Sequence, residues 1–314
     1  MQAVPPAPAA PVRRVGFGCA GLMREPSRRR RQELLASAFE HGITHFDVAR
    51  MYGLGAAEAE LGRFLRSRRD QLTIASKFGI EPARSAGRLA ALQGPARALL
   101  ARSPALRARA KRGAGALDRP HRYDVATARR SLETSLRELR TDYLDMLFLH
   151  GPSTADAIDL DGLGAFLEDR RSAGQIRAWG LAGAREECRS LARRLPDGTI
   201  LQLGEDIFSR ETPGAREPAA QVVFGILVEA LPRIAAVRPD TPSDEIASLL
   251  LADALQANPS ATVLFSTTRP ARLAAVDRAA VLLERQAEEL VSFRERLGVG
   301  LARAAVAGWE SGCA

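Results

Sequence analysis

The chain has 314 residues, 46% hydrophobic but 5% aromatic, so it can bury a large core built from Ala, Leu, Val and Ile rather than from rings. Neither its Pro/Ala-rich start nor its most apolar stretch, residues 221 to 237 with Gln221, Glu229, Pro232 and Arg233 inside it, reads as a signal peptide or a membrane span. The net charge of +8 is local rather than general: residues 81 to 122 hold ten Lys or Arg against Glu81 and Asp118, without the interleaved rings of a nucleic-acid binder.

Cys19, Cys188 and Cys313 are far apart, odd in number and free of CxxC spacing, which points to a reducing cytoplasm and no metal site. The first dozen residues read as a loose tail and residues 14 to 314 as one domain.

Eight apolar runs bounded by turn residues follow in order: RVGFG (14–18), ITHFD (43–47), LTIAS (72–76), YLDMLFLH (143–150), IRAWGLA (176–182), TILQL (199–203), VVFGILVEA (222–230) and TVLFS (262–266). Between them lie SRRRRQELLASAFEHG, EAELGRFLRSRRD, DVATARRSLETSLRELRT and SDEIASLLLADALQA, whose apolar residues recur at helical spacing and several of which open on Ser or Asp. Strand–helix alternation implies parallel strands joined by crossovers, and eight units favour a closed (β/α)₈ barrel with its chemistry at the C-terminal strand ends. The Arg/Ala/Gly-rich segment at 80–122 is an insertion, read as a cover over the site in which Arg102, Arg107 and Arg109 would attract anions, and residues 278 to 311 read as two additional helices.

GFGCAG (16–21) matches a dinucleotide-loop pattern, but its strand is too short, and it fits better as the first barrel strand with glycines that admit a substrate to the backbone. The stronger set is FDVARMYG (46–53), SKFG (76–79) and LFLH (147–150), in which polar residues end apolar runs on three neighbouring strands. Of 45 basic residues two are lysines, Lys77 and Lys111, so Lys77 at a strand end has a specific reason to be an ammonium. Asp47, Tyr52, Lys77 and His150 suit carbonyl chemistry: a phenol donates a proton, an ammonium lowers the phenol's pKa, a carboxylate keeps the ammonium charged and an imidazole orients the carbonyl.

At these residues the chain resembles the aldo-keto reductases. The pattern G-x-x-x-F-D-x-A-x-x-Y-G-x-x-x-x-E-x-x-L-G is met by Gly42, Phe46, Asp47, Ala49, Tyr52, Gly53, Glu58, Leu61 and Gly62. SLRELRTDYLDMLFLH (135–150), GQIRAWGLAG (174–183) and TVLFSTTRPARLAAV (262–276) extend the resemblance. It implies a barrel using NADP(H), with NAD(H) as the alternative, Tyr52 as general acid, Lys77 and Asp47 as its tuning pair and His150 as the carbonyl-orienting residue. It also implies cofactor contacts from Gln202, Arg210, Ser266, Thr267 and Arg272.

The departures lie at the cofactor. Ala182 and Gly183 stand where the family has Ser-Asn, Leu231-Pro232 where it has a stacking aromatic, and Ser266 and Val276 where it has Lys or Gly and Asn. Reduction of a small carbonyl, or oxidation of an alcohol, is therefore the leading reading, an anionic substrate among the candidates. A family-like binding or regulatory protein with a weakened cofactor pocket is the alternative, and a nucleic-acid binder a distant third.

Overall fold

The computed structural model describes residues 14–82, 121–208, 221–285, 288–293 and 295. Each of the eight apolar runs contributes a strand: β1 (Val15–Gly18), β2 (His45–Asp47), β3 (Thr73–Phe78), β4 (Leu144–His150), β5 (Ile176–Gly183), β6 (Ile200–Gly204), β7 (Val222–Phe224) and β8 (Thr262–Phe265). All pairings are parallel and follow chain order, and β1 closes on β8 through Val15↔Val263 and Phe17↔Phe265. The fold is a (β/α)₈ barrel.

Alternation along the strands separates two apolar layers. Inside the barrel lie Ala75, Phe148, Ala178, Ala182, Ile200, Val222 and Leu264, mostly small or branched side chains. Between the strands and the helices a larger cluster gathers Phe17, Phe46, Phe78, Leu34, Leu61 and Leu132. The glycines of β1 make room for neighbouring side chains: a Cβ on Gly16 would lie 2.7 Å from His45 Cδ2, and one on Gly18 would meet the Ser266 hydroxyl. Their role in the structure is thus interior packing, where the sequence suggested approach of a substrate.

The described helices are α1 (Arg28–Glu40), α2 (Ala57–Leu65), α3 (Val125–Leu139), α4 (Leu160–Ser172), α5 (Arg185–Ala192), α6 (Ala230–Val237), α7 (Ser243–Ala257) and α8 (Ala274–Arg285). Ser27, Asp124 and Asp159 cap α1, α3 and α4, each accepting a backbone N–H of the first turn. Ser243 instead lies inside α7, whose N-cap is Pro242.

Two further expectations change. The run 222–230 is a strand only as far as Phe224, because Gly225 adopts φ +87° and turns the chain towards α6, where Ala230 and Ile234 take up the burial. The helix expected to begin the additional C-terminal pair is α8, which starts at Ala274, follows β8 and packs on α7 as the barrel's own last helix. Residues 288–293 are helical as well. The tail at 1–13, the insertion between 83 and 120 with Arg102, Arg107 and Arg109, and residues 296–314 lie outside the described residues. Among the described residues, no helix is long and apolar enough to cross a membrane.

Candidate active site

Asp47 ends β2, Lys77 is the penultimate residue of β3 and His150 ends β4. Ala75 and Phe148 face the barrel interior, so Lys77 and His150, two residues further along the same strands, share that inward face at the C-terminal rim. Lys77 Nζ donates to Asp47 Oδ1 at 2.5 Å and to the Val48 carbonyl at 3.1 Å. Both side chains are almost sealed from solvent, at 2% and 3% exposure.

Tyr52 comes to the same place from the loop after β2. Its ring centroid is 5.1 Å from Lys77 Nζ, and its ring stands edge-on to His150 with centroids 5.8 Å apart. Immediately after it, Gly53, Leu54 and Gly55 all take positive φ, at 59°, 57° and 89°. For Leu54 this conformation costs about 1–3 kcal/mol, strain held in the turn that sets the phenol. Sequence reasoning named all four residues, and the fold brings them together.

Burial works on Lys77, Tyr52 and His150. Desolvation lowers the Lys77 pKa, but the Asp47 carboxylate and the Tyr52 phenol outweigh it and hold the ammonium charged. Burial pushes the Tyr52 phenol above its ordinary value, with Lys77 pulling the other way. The net direction differs from the lowering expected from the sequence, because desolvation of a phenolate exceeds the effect of the ammonium. The phenol is consequently protonated at neutral pH. His150 falls to about 3, through burial first and then Lys77 and His121, and is a neutral imidazole. Its Nδ1 is buried without a partner, while its carbonyl accepts from the Tyr123 hydroxyl at 2.7 Å.

The other side of the rim is held more loosely. Gln202 on β6 is 2% exposed and its Oε1 has no hydrogen-bond partner. Ser266, just past β8, donates to the Gly18 carbonyl at 2.9 Å, and Thr267 Oγ1 accepts from Arg269 N at 3.0 Å. Arg272 is half exposed and lies 3.5 Å from Asp244 Oδ1. Arg210 lies outside the described residues.

Comparison with known proteins agrees with the barrel fold. The family model described as "Aldo/keto reductase family" matches residues 14–193, more than half of the chain. The chain belongs to the aldo/keto reductase family. A D-threo-aldose 1-dehydrogenase from a Pseudomonas species is 28% identical over 221 residues, 65% of this chain and 60% of that protein. A 6-dehydroglucose reductase from Agrobacterium fabrum is 28% identical over 159 residues, covering 49% of this chain and 43% of its own length. The match thus spans about half of each relative. In overall shape the chain is similar to the glycerol dehydrogenase of Gluconobacter oxydans, with a TM-score of 0.60 at 18% identity over 90% of this chain and 91% of that one. An aldo-keto reductase from Klebsiella pneumoniae in complex with NADPH gives a TM-score of 0.56 at 18% identity, covering 89% and 90%.

Against the family pattern, the Ala182-Gly183 departure acquires a physical reason. A Cβ on Gly183 would lie 3.2 Å from Gly151 Cα and 3.3 Å from Cys188 Sγ, and Gly151 N donates to the Ala182 carbonyl at 2.6 Å. The loop after β4 is packed down on β5, leaving little space for an asparagine side chain. Sequence reasoning missed Arg50 and treated Glu58 only as part of a motif. Glu58 is fully buried and forms a close ion pair with Arg50, while Ser76 and Ser135 donate to its Oε1 at 2.7 Å and 2.6 Å. The available signal was a charged residue within an apolar helix face; its partner, eight residues earlier, carries no pattern of its own.

Proposed function

We propose that this chain is a nicotinamide-dependent oxidoreductase that interconverts a small carbonyl compound and its alcohol, with Tyr52 as general acid and NADP(H) preferred over NAD(H). The observation that carries it is the buried Lys77–Asp47 pair at 2.5 Å beneath Tyr52, with neutral His150 edge-on to the phenol. Asp47 keeps Lys77 charged, Lys77 stabilises the phenolate that Tyr52 becomes on giving its proton to the carbonyl oxygen, and His150 orients that oxygen without a charge of its own. In the oxidation direction the same groups take the proton back.

A bound nicotinamide cofactor would supply or accept the hydride. The residues present fit one: the unpartnered Oε1 of Gln202 suits an amide N–H donor, as on the cofactor's carboxamide. Arg272, with Thr267 or Ser266, would hold the adenosine phosphate, since the half-exposed Arg272–Asp244 pair is weak and can exchange for a phosphate, and Arg210 would contact the pyrophosphate. The relatives named above act on sugars by their names, which makes a polyhydroxylated carbonyl the first substrate class to screen. Free, buried Cys19 and Cys188 accord with a reducing cytoplasm. The anionic-substrate expectation rests on arginines outside the described residues. The binding-protein alternative draws on the crowded Gly183, which leaves the cofactor one grip fewer.

A panel of sugar, aldehyde and ketone substrates assayed with NADPH and NADH tests the proposal. Cofactor consumption is expected, faster with NADPH, and Arg272→Ala should narrow the difference between the two. Tight NADPH binding without turnover on any substrate would select the binding protein instead.

A further inference from the structure

We propose that Arg50 and Glu58 are positioning residues, whose buried ion pair closes the turn carrying Tyr52 and so sets the phenol against Lys77. The inference rests on the proposed reading only in calling Tyr52 the proton donor. The two residues bracket Tyr52 in sequence, one before the strained turn and one in the first turn of α2, and Arg50 Nη1 donates to Glu58 Oε2 across it. Between them Gly53, Leu54 and Gly55 all have positive φ, so the turn is not a regular element that would fix Tyr52 by itself.

The same pair reaches Lys77 from behind. Arg50 N donates to the Lys77 carbonyl at 3.4 Å, and Ser76, the residue before Lys77, donates to Glu58 Oε1 at 2.7 Å. Ser135 on α3 donates to the same oxygen at 2.6 Å, and Arg50 Nε lies 3.7 Å from Glu81 Oε2, itself held by the Ser131 hydroxyl. Glu58 therefore joins the Tyr52 turn, the Lys77 strand and α3 at one carboxylate. A buried ion pair stabilises a fold little better than apolar side chains of the same volume, and often less. What it supplies over an apolar contact is direction: a forked donor and a two-oxygen acceptor admit few relative placements.

Tyrosine 13Cζ NMR on the full chain tests this without substrate or cofactor. The chain has three tyrosines, Tyr52, Tyr123 and Tyr143, so each signal can be assigned from its Phe variant. Tyr52 is faced by Lys77 from β3, Asp47 from β2, Cys19 after β1 and His150 from β4. Arg50→Met should shift the Tyr52 signal and bring its titration down towards that of an ordinary phenol, because a freed turn lets the ring leave its buried place. Tyr123 and Tyr143 should keep their wild-type positions, and Arg50→Lys should restore part of the native signal. Once a substrate is in hand, kcat in Arg50→Met should fall, by about 10²-fold for a displacement near 1 Å, with cofactor affinity retained. A folded Arg50→Met protein with the wild-type Tyr52 signal and titration would overturn the proposal. Should that variant fail to fold, Ser135→Ala removes one Glu58 bond and no charge; a smaller shift in the same direction is then expected, and an unmoved Tyr52 overturns the proposal equally. Failure of wild type to turn over any carbonyl would sink the enzymatic reading while leaving the NMR result to decide this one.

Discussion

Along β2, β3 and β4 the barrel rim is fixed by buried charge: Asp47 on Lys77, Arg50 on Glu58 and two serines on the same carboxylate, all but sealed from solvent. Along β5 to β8 the corresponding positions are a glycine and an alanine, a glutamine with a free oxygen, a serine satisfied by a neighbouring carbonyl and an arginine half in water. The first region is arranged before any ligand arrives. The second leaves the buried Gln202 Oε1 without a partner. Proton transfer needs groups held to within fractions of an ångström, whereas a large cofactor spreads its binding over many contacts and tolerates the loss of one.

The comparison breaks most severely at Lys77. Lys77→Arg keeps the charge but puts a planar, larger group where a compact ammonium is enclosed, and kcat is expected to fall by about 10²–10⁴-fold with the cofactor still bound. Steady-state kinetics beside a cofactor titration checks this, and near-native turnover would show that the preorganised side needs only a positive charge. On the looser side Gln202→Leu should weaken cofactor binding by about 2–12-fold, one hydrogen bond's worth, and leave the thermal midpoint unchanged or higher, because an orphaned oxygen is removed. A lowered midpoint with native cofactor affinity would make Gln202 a structural residue and remove the contrast.

The smallest effect concerns pH. Burial holds His150 at about 3, below the ordinary value of about 6.5, so the unfolded chain takes up the proton first as pH falls. His150 therefore permits full stability above about pH 6.5 and lowers it progressively from there towards pH 3. His45, lowered by burial as well, adds to the same trend. Urea unfolding at neutral and mildly acid pH should show a shallower decline in His150→Gln than in wild type; equal slopes would mean that His150 is not buried as neutral imidazole.

How legible all this was depends on range. The strands were readable because local alternation and turn residues mark them, and the rim residues because strand ends in a parallel barrel share one face. β7 was read too long because apolar residues continue past Gly225 onto α6, and composition does not show the φ of +87° that separates them. Lys77 stood out by the scarcity of lysine, yet the direction of the Tyr52 pKa did not, since burial is a property of the packed loop. Arg50 and Glu58 were least legible. In an Arg-rich chain they look like surface charges, and only the meeting of the loop, α2, β3 and α3 buries them. Glu60 is a parallel case, buried at 2% with Arg31 from α1 as its partner.

The most direct test of the central claim is a paired measurement on Tyr52→Phe: NADPH affinity by fluorescence titration and carbonyl-dependent NADPH oxidation by absorbance, each against wild type. The account expects affinity within about twofold of wild type and turnover lower by about 10²–10⁴-fold, because the phenolic proton is needed in the transition state and not for holding the nucleotide. Undiminished turnover in Tyr52→Phe would contradict it.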